Sequence, residues 1–362
     1  MARVRTCGEC GVPLMIGGQH TWHGNGVIRQ TRDPDHRMVF FESENIDRVF
    51  HKIEEIIGVS VERIVVESQR RSTREYLEKQ FPLAVRRALY LLQPALIAKR
   101  MAGIASVYGY GHVEVEEVRS SPLRRLRKKD DYLVMTIKYP YSIYRYCGDN
   151  LGGMEAVTGR ACSVTWERLD EDTCRLQLTV GRHPVELEER LARRKYAYRE
   201  GEVRVEKCPA CGVPRVVARC VWDLENGTIT DPTTGRRMAL FGPASLDAAF
   251  HELESELGET IPETVIEAQR RFVKEAFHRG DWRAYTPSLE ELVAARGLGM
   301  LAAFEVDERH LSLTICNSCL HLWMVGLAQG IFEMETGRES TTRAWSLAPD
   351  GELTVRVSAG DS

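Results

Sequence analysis

The feature that most constrains this chain is that it repeats itself. Cys7-Gly-Glu-Cys10-Gly-Val-Pro matches Cys208-Pro-Ala-Cys211-Gly-Val-Pro, and Trp22 and Trp222 follow at an offset of 200. The offset holds for Arg37-Met38 with Arg237-Met238, for Phe50-His51 with Phe250-His251, and for Glu67-x-Gln69-Arg70-Arg71 with Glu267-x-Gln269-Arg270-Arg271. It then shrinks. Gly109-Tyr-Gly111 pairs with Gly297-Leu-Gly299, and Gly148, Gly152, Glu155 and Thr158-Gly-Arg160 pair with Gly326, Gly330, Glu333 and Thr336-Gly-Arg338. A period this long denotes a duplicated domain, not a solenoid of short repeats. Like domains associate most often about a twofold axis, so the halves are expected to pack as an intramolecular pseudo-dimer. The reading gives a first repeat over 1–182, a charged helical connector over 183–205 and a second repeat over 206–362.

Periodicity assigns each half to the α+β class. Short alternating stretches at 21–28 and 37–41, broken by Gly24-Asn25-Gly26 and Asp33-Pro34-Asp35, read as strands with turns. Ile46, Val49, Phe50, Ile53 and Ile57 share one face of a helix that Ser43 or Asn45 can cap and Gly58 ends. A second helix carries the Gln-Arg-Arg motif, and an apolar helical stretch from about 83 to 105 follows in the first half alone. Strand pairs are expected near 111–118 with 131–138 and 162–168 with 175–179, around a glycine-bearing helix. Their counterparts are 300–306 with 310–316 and 341–347 with 352–357.

Composition narrows the class of function. The 362 residues are 43% hydrophobic, enough for two ordinary cores. No apolar run is long enough to span a bilayer, no secretory signal precedes the first knuckle, and a cytoplasmic location without a membrane partner is expected. A net charge of −3 offers phosphate backbones no overall field, so nucleic acid is not an expected partner.

Six of the ten cysteines form Cys-x-x-Cys pairs at 7/10, 208/211 and 316/319. That spacing aims two thiolates at one ion, and the glycine after each amino-terminal pair permits the tight turn of a zinc-ribbon knuckle. A closed site needs four ligands. The Trp22/Trp222 alignment offers His20 in the first half and Cys220 in the second as third ligands, with His23 and Asp223 as candidates for the fourth. Cys316 and Cys319 offer the second half another route to four cysteines. Zinc is expected ahead of an iron–sulfur cluster, because isolated thiolate pairs with histidine suit it. Cys147, Cys162 and Cys174, which have no counterparts, read as small buried hydrophobes.

Gly148-x-x-x-Gly152 and Gly326-x-x-x-Gly330 place small residues on one helical face, where another backbone or a flat apolar ligand can approach. The stretch CGDNLGGMEAVTGRACSVTWERLDEDTCRLQLTV resembles the carboxy-terminal segment of the 4-vinyl reductase family, in its glycine helix, its Glu, its Thr-Gly-Arg turn and its two strands. The resemblance implies a small-molecule pocket of hydrocarbon- or tetrapyrrole-binding type near those four glycines. It spans about thirty-five residues in each half, and the family's cysteine-rich ending is reduced to Cys174 in the first and absent from the second.

Arg70, Arg71, Arg270 and Arg271 lie on helices beside a glutamate. They clamp a carboxylate or phosphate, join the two halves through ion pairs, or simply form a solvated helix face, which is the default. His51 and His251 read as packing residues. The basic run at 123–129 reads as a charged hairpin loop, or as a nucleic-acid or acidic-partner contact. The sequence lacks a phosphate-binding glycine loop, a dinucleotide fingerprint and a nucleophile elbow. Together these features lead to a metal-stabilised protein that binds an apolar or mixed small molecule as sensor, carrier or accessory factor. A metal-dependent hydrolase or lyase with an open coordination position, or a zinc-ribbon interaction scaffold, are the alternatives.

Overall fold

The elements form largely where periodicity and turn residues place them. In the computed structural model, which describes residues 4–92, 94–119, 131–181, 198–278, 280, 289–338 and 341–360, the first half contains α1 (Leu14–Gln19), β1 (His20–Trp22), β2 (Ile28–Gln30), β3 (Arg37–Glu42), α2 (Glu44–Ile57), α3 (Glu62–Gln80), α4 (Leu83–Leu92), α5 (Pro94–Val107), β4 (His112–Arg119), β5 (Tyr132–Lys138), α6 (Ile143–Thr158), β6 (Cys162–Arg168) and β7 (Thr173–Val180). The second contains α7 (Arg215–Ala218), β8 (Val221–Asp223), β9 (Thr228–Thr230), β10 (Arg237–Phe241), α8 (Ala244–Leu257), α9 (Ile261–Ala276), α10 (Leu289–Ala295), β11 (Met300–Val306), β12 (His310–Cys316), α11 (His321–Thr336), β13 (Thr341–Leu347) and β14 (Leu353–Ala359). The basic run at 123–129 and most of the expected connector helix lie outside the described residues.

Caps account for several boundaries. Gly58 ends α2 and Gly159 ends α6, both in the left-handed region that glycine enters without a Cβ clash. Ser43 precedes α2, but its side chain makes no cap bond, and Asn45 sits buried inside the first turn. Helix α6 is capped by Ser142, whose hydroxyl accepts the Arg145 N–H, and this cap is supported from another element. Asp47 of α2 accepts the Ser142 hydroxyl at 2.6 Å and the Ile143 N–H at 2.7 Å, setting a carboxylate at the helix N-terminus.

Two four-stranded antiparallel sheets have the same order, β4-β5-β7-β6 and β11-β12-β14-β13. The third sheet is built from both halves in the order β1-β2-β3-β10-β9-β8. Its middle pair is antiparallel, with Val39 opposite Phe241, Phe40 opposite Leu240 and Phe41 opposite Ala239. At the offset of 200, Phe40 and Leu240 are equivalent positions, so a pseudo-twofold axis passes between them.

Packing across that axis is reciprocal. Helix α2 packs on α9 of the other half, and α8 packs on α3. Phe40 N–H donates to the Arg296 carbonyl at 2.8 Å, and Leu240 N–H donates to the Tyr108 carbonyl at 3.0 Å. Gly111 N–H reaches the Gly227 carbonyl at 2.9 Å, while Gly299 N–H reaches that of Gly26 at 3.1 Å. Each half's short-stranded ribbon and its helix α2 or α8 therefore sit on the other half's sheet-and-helix lobe. The expected division into two cores does not follow the repeat boundary. One hydrophobic cluster runs through both lobes, joining Phe50, Val65 and Cys147 to Phe250, Val265 and Trp323. A second lies beneath the shared ribbon sheet around Trp22, Phe40, Tyr108, Ile229 and Leu240. Burying this apolar surface at roughly 25 cal/mol per Å² makes the seam between halves part of the folding core.

Candidate metal centre

The knuckles are two copies of one local structure. Cys7 N–H donates to Val12 O at 2.8 Å and Gly11 N–H to Cys7 O at 2.9 Å. Cys208 and Gly212 repeat these bonds at 2.9 and 2.8 Å. Gly11 and Gly212 have φ of 76° and 74°, a conformation a side chain would oppose. The reciprocal packing then brings the copies face to face. Cys7 Sγ lies 3.8 Å from Cys208 Sγ and Cys10 Sγ lies 3.5 Å from Cys211 Sγ. All four sulfurs lie within 4.8 Å of one another. Zinc–sulfur bonds of about 2.3 Å at tetrahedral angles put neighbouring sulfurs about 3.8 Å apart. A disulfide needs about 2.05 Å. The spacing is that of four thiolates around one ion, and the four cysteines are free thiols.

The electrostatics favour a thiolate at one corner. Backbone N–H groups of Cys10 and Glu9 turned toward the Cys7 sulfur bring its pKa down to about 7. Burial works the other way at its neighbours, pushing Cys10 up to about 12 and Cys211 upward. Arg215 of the second knuckle donates to Glu9 of the first at 3.1 Å, a further tie across the seam.

The other candidate ligands are placed elsewhere. One cluster of four thiols, two from each half, stands where a site in each half was expected, because the packing across the seam brings the two Cys-x-x-Cys pairs together. His20 is buried, with Nδ1 on the Ile16 carbonyl at 2.9 Å and Nε2 3.3 Å from the Tyr108 hydroxyl, and burial lowers its pKa to about 4. Cys220 is buried in the ribbon core, its thiol pushed up to about 12. His23 lines a cleft, and Asp223 instead receives the N–H groups of Glu225 and Asn226 in a turn. Cys316 and Cys319 bracket a loop whose Asn317 and Ser318 carbonyls accept Arg37 at 2.6 and 3.3 Å. Cys319 lies 3.7 Å from the Gly297 carbonyl and Cys316 lies 3.6 Å from Glu352. Burial raises both thiols, Cys319 to about 11.

The glycine faces hold helix backbone in place of a flat ligand. A Cβ on Gly148 would stand 2.5 Å from the Val66 carbonyl oxygen, and one on Gly152 would be 2.9 Å from Arg74 N and closer still to the Arg70 carbonyl. On α11, a Cβ at Gly326 would meet Gln269 Cβ at 2.7 Å and one at Gly330 would meet Val273 Cβ at 2.8 Å. The four glycines thus let α6 lie on α3 and α11 on α9. The arginines of the same helices face their own carboxylates. Arg70 is fully buried, with Nε 2.9 Å from Glu67 and Nη1 2.5 Å from Glu155. Arg270 repeats this with Glu267 at 2.7 Å and Glu333 at 2.5 Å. Arg71 pairs with Glu75 at 2.8 Å and Arg271 with Glu267 at 2.7 Å. These ion pairs lie within each half, so they do not join the two halves as one expectation had it, and buried Arg70 is not part of a solvated face. His51 bonds Glu54 at 3.1 Å on the surface of α2, and His251 lies 4.0 Å from Glu254 on the equivalent surface of α8.

A cleft of about 600 Å³ opens next to the second knuckle. His23 and Gly24 of the first half, residues Val203–Lys207 before the knuckle and Glu291 of α10 line it. Lys207 donates to the Trp22 carbonyl at 2.7 Å, and Glu206 N–H to Glu291 at 2.9 Å. Sequence inspection misses this cleft because its walls come from three distant segments without a shared motif.

No family model matches the chain, and no curated protein does. Among solved structures the chain is similar to an H-NOX mutant carrying 4-cyano-phenylalanine, with 14% identity over 33% of this chain and 75% of that one and a TM-score of 0.24. An H-NOX structure from a study of heme distortion gives 14%, 33%, 73% and 0.25. A phenylalanine-for-isoleucine mutant of the T. Tengcongensis H-NOX gives 14%, 33%, 75% and 0.24. At these scores the likeness carries no argument about ligand or function.

Proposed function

We propose that this chain is a zinc-stapled binding protein of sensor, carrier or accessory type, formed from a duplicated α+β unit and holding a small mixed ligand in the cleft at its seam. The single observation that carries the reading is the convergence of Cys7, Cys10, Cys208 and Cys211 within 4.8 Å. Four thiolates close a tetrahedral sphere and leave no position for a reacting water, which supports a structural ion over metal-assisted hydrolysis or lysis. Matching strand orders in the two lobes support the duplication. The cleft has a volume in the usual range for small-molecule sites. Val203 and Val205 give it apolar wall, and His23, Arg204, Lys207, Glu206 and Glu291 give it charges of both signs. It adjoins Cys208, so occupancy of the staple orders its floor. The ligand expected at the glycine helices is reassigned to this cleft.

The test is metal content and coordination of protein purified under reducing conditions. One zinc per chain with four sulfur neighbours in X-ray absorption is expected. Two zinc ions per chain, or a nitrogen or exchangeable oxygen in the sphere, sinks the staple. Native mass spectrometry of the same sample tests the cleft, which predicts a retained small molecule that Lys207→Glu releases.

A further inference from the structure

Equivalent positions in the two lobes carry different chemistry. In the first lobe, where α3 crosses α6, Gln69 is the hub of a closed polar network. Its Oε1 accepts the Ser245 hydroxyl at 2.6 Å and Arg145 Nε at 3.1 Å, and its Nε2 donates to Asp149 at 2.7 Å. Tyr141 and Thr73 also donate to Asp149, each at 2.7 Å. Within this group only Arg145 Nη1 is buried without a partner. The repeat carries the arrangement into the second lobe with its side chains changed. At the offset of 200, Asn45 stands for Ser245, Gln269 for Gln69 and Val273 for Thr73. The offset that pairs Gly148 with Gly326 puts Trp323 in the place of Arg145, Leu327 in that of Asp149 and Cys319 in that of Tyr141. The structure keeps this correspondence. Arg145 lies 4.4 Å over the Phe241 ring, and the Trp323 ring lies 5.9 Å from that of Phe41, the equivalent phenylalanine. A Cβ on Gly148 would meet Gln69 Cβ at 2.6 Å, and one on Gly326 would meet Gln269 Cβ at 2.7 Å. Both charges of the first network are gone, but polar groups remain. Asn45, Gln269 and Trp323 are each 0% exposed. Both polar atoms of the two carboxamides and the indole nitrogen have no hydrogen-bond partner among the described residues. Buried polar atoms are nearly always paired, because leaving one unpaired forfeits its hydration for nothing.

We infer that Asn45, Gln269 and Trp323 form an internal binding site in the second lobe for a small uncharged molecule that both accepts and donates hydrogen bonds. The side chains set that class. Two carboxamides and an indole offer more N–H donors than carbonyl acceptors, so the guest is held chiefly through an oxygen. With Trp323 and Leu327 in the places of Arg145 and Asp149, an ionic guest would lose its hydration without a counter-charge. Water meets this description, since a buried water typically makes about three such bonds, and so does a short alcohol or amide. In the first lobe the Arg145 side chain, bonded to Gln69, fills the equivalent place, so the duplication yields this site in the second. The site is independent of the zinc staple and of the cleft beside Cys208.

Two measurements on the full chain, wild type against the double variant Asn45→Leu with Gln269→Met, test it. Magnetic relaxation dispersion of the solvent signal counts long-lived internal waters, and native mass spectrometry detects a retained organic molecule. The double variant is expected to lose at least one such water, which assigns the guest as solvent, or to lose a bound organic compound, which assigns it as a ligand. Its melting temperature should be unchanged or higher, since apolar groups of similar shape remove the demand for partners. An unchanged count of internal waters together with no organic molecule lost overturns the site, and would mean that the two carboxamides satisfy each other. Should the double variant not fold, Trp323→Phe decides, because it removes one donor and keeps an aromatic ring in place. It should shorten the residence time of the same molecule roughly fivefold, and an unchanged residence time overturns the site.

Discussion

Cys10 Sγ lies 3.5 Å from Cys211 Sγ, although 201 positions separate the two residues in the chain. The two cysteines belong to different halves, so the contact exists only when the halves are docked. An ion bound there would be coupled to docking, and its affinity would add folding free energy to the seam.

Breaking either knuckle should release the whole ion. Cys10→Ser and Cys211→Ser are each expected to abolish bound zinc and to lower stability by at least about 3 kcal/mol. Zinc release on thiol titration, together with urea unfolding, measures both. A single-knuckle variant that retains half of the metal would restore the picture of two separate sites.

The helix crossings should reject a methyl group. Gly152→Ala drives a Cβ into the Arg70 carbonyl and to 2.9 Å from Arg74 N, backbone atoms that cannot move aside. A loss of about 3 kcal/mol is expected in chemical denaturation, against a helix-propensity gain of at most about 1 kcal/mol. Gly153→Ala is the control. Its Cβ would meet only Leu77 Cδ1, at 3.9 Å, and the variant should be neutral or slightly more stable.

Glu155 and Arg70 form an ion pair in which both side chains are 2% exposed. Glu155→Gln leaves the Arg70 charge with less compensation inside the core, and its cost is expected at about 3 kcal/mol or more. Glu263→Gln, which loosens the ion pair with Arg343 from a glutamate 55% exposed, should cost under about 1 kcal/mol. Equal losses for the two in thermal melts would remove burial as the cause.

His20 links stability to pH. Burial lowers its folded pKa from 6.5 to about 4, so between those values the unfolded chain binds a proton that the folded chain refuses. Stability is therefore expected to be unaffected by this group above pH 6.5 and to decline as pH falls toward 4, by on the order of 3 kcal/mol in total. His20→Phe should flatten that part of the profile. A profile unchanged by the substitution would assign the acid sensitivity to other groups.

Strand and helix positions were legible because burial on one face imposes a period, and β11, β12 and β13 span the residues that alternation assigns them. The glycine pairs on α6 and α11 were legible as close-approach positions, but not what approached, since a ligand and a helix backbone make the same demand on a missing Cβ. Arg70 and Glu155 illustrate the same limit. Their equivalents, Arg270 and Glu333, stand 63 positions apart against 85, and only the crossing of α3 with α6 reveals that the carboxylate is the arginine's partner. Cys316 and Cys319 have metal-ligand spacing, but the loop between them gives its carbonyls to Arg37.

By itself the sequence determined the local structures: two similar Cys-x-x-Cys turns, two sets of amphipathic helices and strands, and an apolar helical stretch present once, which the structure divides into α4 and α5. These follow from nearest-neighbour chemistry, in which spacing along the chain sets which side chains share a face or a turn. Tertiary structure alone decided that the two pairs of thiols form one cluster, that the ribbons pack across the repeat boundary and that a cleft opens beside Cys208. Those outcomes depend on the register of β3 against β10, which is fixed by burial of apolar surface from both halves at once and leaves no trace in either half read alone.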